Sequence, residues 1–190
     1  MSEYGAQLES LIDKFFSPKT NWPECNVFDE YVGFVIEHWS NVDESVSCDY
    51  AHGFLSHENS TALINTIKNY DQEYLCLFAD TGSFEENMPH VVIKASKEKL
   101  MNYQLDIRLQ KEMHSIFYMF DTSGKWIAHV GESIIFACEH DFAKEFISQL
   151  GGWPKVLKDL EHFCASVDDN YSTWRQFGVD KLKKIFVDFK

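Results

Sequence analysis

Residues 115–150, SIFYMFDTSGKWIAHVGESIIFACEHDFAKEFISQL, decide the fold class. Three apolar runs, Ile116 to Phe120, Trp126 to Val130 and Ile134 to Cys138, are rich in aromatic and β-branched residues. They are separated by Asp121-Thr122-Ser123-Gly124 and by Gly131-Glu132, both of which are turn chemistry. Short connections of this kind make neighbouring strands pair antiparallel. The meander leads straight into a helix in which Phe142, Phe146, Ile147 and Leu150 share one face, with Asp141 expected as its cap. Gly151-Gly152 closes that helix ahead of Pro154.

Upstream of this core the first pattern is helical. Leu8, Leu11, Ile12, Phe15 and Phe16 lie on one face of a helix that ends before Pro18. A second helix is expected after an Asn26 cap, with Phe28, Tyr31, Val32, Val35 and Trp39 inward and Glu30, Gly33 and Glu37 outward. Alternation from Val46 to Phe54 suggests an edge strand. Asn59 or Ser60 then starts a helix carrying Leu63, Ile64, Ile67 and Tyr70, followed by a strand from Tyr74 to Ala79.

Beyond the acidic loop Asp80 to Pro89, Val91, Val92 and Ile93 form a short strand and Ser96 caps a single helical turn. Tyr103, Leu105, Ile107 and Leu109 alternate with polar residues, the period of a strand with one wet face. Downstream of the meander, Val156, Leu157, Leu160, Phe163, Cys164 and Val167 follow the helical period as far as Asp168-Asp169-Asn170. A last helix from about Ser172 uses Trp174, Phe177, Leu182, Ile185 and Phe186, with a bend at Gly178. The expected class is therefore α+β, with a mostly antiparallel sheet of six or seven strands. Two N-terminal helices, one inserted helix and a helical C-terminal third complete it, all in a single domain over 1–190.

At 190 residues and 45% apolar composition, the chain has enough material for one substantial core. No stretch approaches the roughly 18 to 20 apolar residues of a membrane span, and residues 1–16 carry acids among their apolar residues instead of a basic segment before an apolar run, so neither a spanning nor a secreted protein is expected. Five cysteines without CxxC spacing, three of them inside apolar patterns, fit reduced thiols in the cytoplasm rather than a disulfide framework.

Net charge is -13, and its placement is informative. Residues 1–60 hold 11 Asp and Glu against two Lys, which leaves -9; residues 61–112 hold eight against six, and the remainder 11 against nine, each leaving -2. Such a field repels phosphate backbones and anionic lipid, which argues against nucleic acid or membrane as partner, and it speeds encounter with a basic protein. Acidity of this size also serves solubility alone.

Few constellations carry chemistry. Cys48, Asp49, His52 and His57 have loose metal-ligand spacing without a second ligand pair, so no metal or other cofactor is expected. Glu139-His140-Asp141 places a histidine between carboxylates, but neighbouring residues of a strand point apart, and capping accounts for Asp141 with fewer assumptions. His38 beside Glu37 and Trp39 is better explained at the border of the core. No nucleophile elbow or phosphate loop is present in the sequence, and the Lys181, Lys183, Lys184 cluster is ordinary for a solvated helix face. No catalytic residue is expected. Trp22, Tyr50 and Trp174 stand in irregular contexts where aromatic residues serve as binding anchors.

An acidic α+β chain of this size without a catalytic signature resembles the immunity proteins that bacteria make beside polymorphic toxins, including those of contact-dependent growth inhibition. The resemblance lies in overall character. It implies a binding protein that neutralises a cognate toxin domain, often a nuclease with a basic surface. The expected contacts are Glu30, Glu37, Asp43, Glu44 and Asp49, with Asp80, Glu85 and Glu86 as a second patch and Trp22 and Tyr50 as anchors. A regulatory or adaptor domain for another basic protein is the alternative, and a His- or metal-dependent enzyme a further one.

Overall fold

A computed structural model describes residues 3–16, 30–38, 55–79, 90–109, 117–130 and 133–158. In chain order it contains α1 (Glu3–Phe15), β1 (Val32–His38), α2 (His57–Lys68), β2 (Tyr74–Ala79), β3 (His90–Lys94) and α3 (Lys97–Leu109). These are followed by β4 (Phe117–Phe120), β5 (Trp126–Val130), β6 (Ser133–Cys138) and α4 (His140–Gln149). Residues 153–158 form a further helical segment. The six strands make one antiparallel sheet in the order β1-β6-β5-β4-β2-β3, so the class is α+β.

The meander forms as its turn residues require. Gly124 takes φ +71°, which an L side chain adopts only at a cost, and β4 and β5 pair across it from Phe117↔Val130 to Phe120↔Ile127. All nine residues of β4 and β5 are buried. Their alternate side chains fill two cores, one on each face of the sheet.

On one face, Trp126, Phe136, Phe117 and Met119 pack with Leu63, Ile67, Phe142 and Phe146 from α2 and α4. On the other, Cys76, Phe78, Phe120 and Ile127 are covered by Leu8, Leu11, Phe15 and Phe16 of the α1 end of the chain. Burying each of those four side chains, three in α1 and Phe16 just beyond it, contributes about 1.5–3 kcal/mol. The apolar stripe of this 13-residue helix thus does more for its stability than intrinsic propensity.

Several sequence expectations need correction. The second N-terminal helix is instead β1, and Val32↔Cys138 through His38↔Ser133 pair it to β6 across one bulge between Val35 and Glu37. Val32, Gly33, Phe34 and Ile36 are all buried, so these four residues, taken together, show no polar alternation. Its β-branched and glycine content opposes a helix.

The strand expected over Tyr103 to Leu109 is the second half of α3, and the single turn after Ser96 is its beginning. Ser96 Oγ does accept the Lys99 N–H at 3.3 Å, and helix formers such as Leu, Met, Gln, Lys and Arg carry the segment on from there. α2 starts earlier than expected, at a Ser56 cap whose hydroxyl accepts the Asn59 N–H at 3.1 Å. At α4 the cap position is Glu139, not Asp141, and it makes no side-chain cap bond. Asp141 lies in the first turn, where its carboxylate still suits the positive end of the helix. Beyond α4, Gly151 and Gly152 at φ +99° and +87° end the helix as their sequence implied. The expected Val46 to Phe54 strand, the Asp80 to Pro89 loop and the C-terminal helices beyond residue 158 lie outside the described residues.

Candidate functional site

α1, the β4–β5 turn and the start of α4 meet around an open groove of about 480 Å³ lined by Gln7, Ser10, Lys14, Ser123, Lys125 and Glu139, among others. Its geometry follows from strand register. Trp126 pairs with Cys138, so the next residues outward, Lys125 and Glu139, are also brought opposite, with the Glu139 N–H donating to the Lys125 carbonyl at 2.9 Å. Lys125 Nζ then reaches Glu139 Oε2 at 3.1 Å and Asp141 Oδ2 at 2.7 Å.

From α1, Lys14 Nζ donates to Glu139 Oε1 at 2.6 Å and to the Gly124 carbonyl at 2.7 Å, while Gln7 Nε2 donates to the Asp121 carbonyl at 3.2 Å. Two lysines and two carboxylates therefore neutralise each other and fasten α1 to the turn.

The electrostatics match that reading. Burial acts to raise Glu139, but hydrogen bonds and charge from Lys14 and Lys125 outweigh it and hold the carboxyl below its ordinary range. Asp141 is likewise lowered: burial opposes, and Lys125 and the Phe142 N–H prevail. Bonding to Asp141 and then Glu139 raises the Lys125 ammonium.

Beneath the groove, Asp121 is fully buried. It accepts the Ser123 N–H at 2.8 Å, the Ser123 hydroxyl and the Trp126 indole N–H at 2.7 Å. Burial pushes its carboxyl up, against the pull of those three bonds. The Cys76 thiol is pushed up to about 12 by burial first and Asp121 second. Cys138 is raised well above the ordinary thiol value, again by burial first. Neither thiol is a poised nucleophile.

The expected site residues divide sharply. Glu30 is exposed just ahead of β1, and Glu37 lies in β1 beside the bulge. Trp22, Asp43, Glu44, Asp49, Tyr50, Asp80, Glu85 and Glu86 lie outside the described residues, as do Cys48, His52 and Trp174. Among the described acids of the first sixty positions, Glu3, Glu9 and Asp13 are exposed on α1, on one side of the sheet, whereas Glu58 is exposed on α2, on the other.

His57 is exposed at the start of α2. His140 is exposed, and both carboxylates beside it are bonded to lysine. Among the described residues no group of three His, Cys, Asp or Glu could hold a metal ion. None of their helices is long and apolar enough to cross a membrane.

Reasoning from sequence missed Lys14 and Lys125 as partners of Glu139. The Lys125 pairing could have been found by continuing the hairpin register one step past Trp126 and Cys138. Nothing local announces Lys14, which is 125 positions away from Glu139. No family model, curated protein or solved structure matches this chain.

Proposed function

We propose that this protein binds a basic toxin domain and neutralises it, its acidic surface approaching the positive charge that a nuclease presents to phosphates. The observation that carries this reading is the concentration of charge: -9 of the net -13 falls in the first sixty positions. Within that stretch α1 exposes Glu3, Glu9 and Asp13, while its one base, Lys14, is committed to Glu139 and the Gly124 carbonyl. The outward side of α1 is therefore acidic without an interspersed free cation. A surface of that kind raises association rates toward a basic partner and disfavours acidic ones.

The test is association kinetics with candidate basic toxin domains at low and high salt. The on-rate should fall steeply as salt rises, and Glu9→Lys with Asp13→Lys or with Glu30→Lys should slow association with little change in dissociation. Binding that is indifferent to both salt and these reversals would overturn the reading.

A further inference from the structure

Among the described residues two strands end the sheet, and they are built differently. β1 is interrupted by a bulge between Val35 and Glu37 and carries an acid. Both devices discourage another strand from adding to an edge. β3 has neither. It pairs with β2 in unbroken register from Tyr74↔Lys94 to Phe78↔His90, and it contains no acid, proline or glycine. Its one lysine, Lys94, is at the last position, leaving Val91, Val92 and Ile93 without a charge between them.

Among the described residues, the two exposed large apolar side chains both belong to this end of the sheet: Tyr74 at 52% and Val91 at 36%. β3 as a whole is at best half-buried, in contrast to the fully buried β4 and β5.

We infer that β3 is a self-association edge, pairing antiparallel with β3 of a second copy of this chain about a two-fold axis at Val92. The sequence His90-Val91-Val92-Ile93-Lys94 is self-complementary about that centre. Val91 of one copy comes opposite Ile93 of the other, on the face where Val91 and Ile93 already pair with the core residues Leu77 and Leu75. The apolar layer therefore continues across the junction on both sides of the axis. Val92 meets Val92 on the opposite face, and His90 meets Lys94 of the other copy, so the two Lys94 ammonium groups lie at opposite ends of the pairing. Two isologous patches of this form satisfy closed two-fold symmetry.

Charge is compatible with a second copy here, since β3 itself carries no acid. Two chains of -13 repel each other overall, and an edge strand without a carboxylate adds nothing to that repulsion. A five-residue strand is short, so the interface is at the small end of specific contacts and the dimer is weak and concentration-dependent.

Sedimentation equilibrium over rising protein concentration tests this. The average mass should climb from that of one chain toward that of two, and should climb further in high salt, because screening relieves the repulsion between like-charged copies. That dependence is opposite in sign to the one expected for capture of a basic partner. Val91→Lys places a cation opposite Ile93 and should weaken self-association at least about tenfold, with a thermal melt that coincides with the unaltered chain's. As a second measurement, Val92→Cys should give a disulfide-linked dimer through position 92 on mild oxidation. A single-chain mass at every concentration, a Val91→Lys dimer as tight as the original, or oxidised Val92→Cys without the 92–92 link would each overturn the inference.

Discussion

Trp126 donates its indole N–H to Asp121 at 2.7 Å, and both residues are completely withdrawn from solvent. Asp121 therefore fixes two things at once: the turn that joins β4 to β5, through Ser123, and the rotamer of the largest side chain in the core. A charged carboxylate in such a place is costly unless each lone pair finds a donor, and here three donors converge on it.

Replacing Asp121 with Ala should leave the Trp126 N–H and the Ser123 N–H without their acceptor, at a cost of about 2–4 kcal/mol. Asp121→Asn keeps an acceptor without the charge and should cost less. The two also differ from the parent in pH response. Because the folded carboxyl is raised, its contribution is fully present below the ordinary carboxylate range and is lost as pH rises through the raised value. Urea unfolding followed from pH 4 to pH 8 should show that downward slope in the parent and its absence in Asp121→Asn.

Lys125 gives the opposite slope. Glu139 and Asp141 are held low, so their contribution is present above the ordinary carboxylate range and fades as pH falls through the lowered values. Lys125→Met removes a partner from both and should flatten the acid limb of the stability profile. Because these side chains are 29% to 55% exposed, the loss at neutral pH should be only about 0.5–1 kcal/mol. Thermal melts in low and high salt provide the check: the gap between parent and variant should narrow as salt increases.

Cys76 and Cys138 should resist alkylation in the folded protein. Both are fully buried with thiols raised by burial, so neither the thiolate nor access is supplied. Brief treatment with iodoacetamide followed by peptide mapping should find both unmodified, and modified only after denaturant is added. Early labelling of Cys76 would mean that α1 leaves the sheet readily, since Leu8, Leu11, Phe15 and Phe16 share its core cluster.

The meander, α1, β2 and β3 were legible because aromatic and β-branched runs, or an amphipathic stripe, coincided with strong punctuation at Gly124, Pro18 and Gly151-Gly152. β1 does not announce itself because Val32, Gly33, Phe34 and Ile36 are all buried, so four of its seven residues give no polar alternation from which a strand period could be read. α3 was misread for the converse reason. Tyr103, Leu105, Ile107 and Leu109 alternate by chance, while Leu100, Tyr103 and Gln104 hold the helical spacing that faces the core. The carboxylate half of the groove drew attention as Glu139-His140-Asp141, and its lysine half did not, because ion pairs across a fold leave no trace in local sequence.

Gln104 shows what the alternating pattern concealed. A strand reading puts it on the wet face, yet it is 4% exposed. Its Oε1 accepts the Leu55 N–H at 2.9 Å and its Nε2 donates to the Leu55 carbonyl at 3.3 Å. One amide thus satisfies both backbone groups of the residue that leads into the Ser56 cap of α2, in place of a strand neighbour. Gln104→Leu fills the space but strands the buried Leu55 N–H and leaves the Leu55 carbonyl only the Ser60 hydroxyl at 3.4 Å, and should destabilise by about 1–3 kcal/mol. Gln104→Glu separates the two bonds, since a carboxylate accepts from the Leu55 N–H but repels its carbonyl; it should be the more damaging variant at neutral pH and recover partly in acid as the side chain gains a donor proton. Amide hydrogen exchange locates the effect: protection at Leu55 should fall in both variants, while the β5 amides, buried in the middle of the sheet, stay protected.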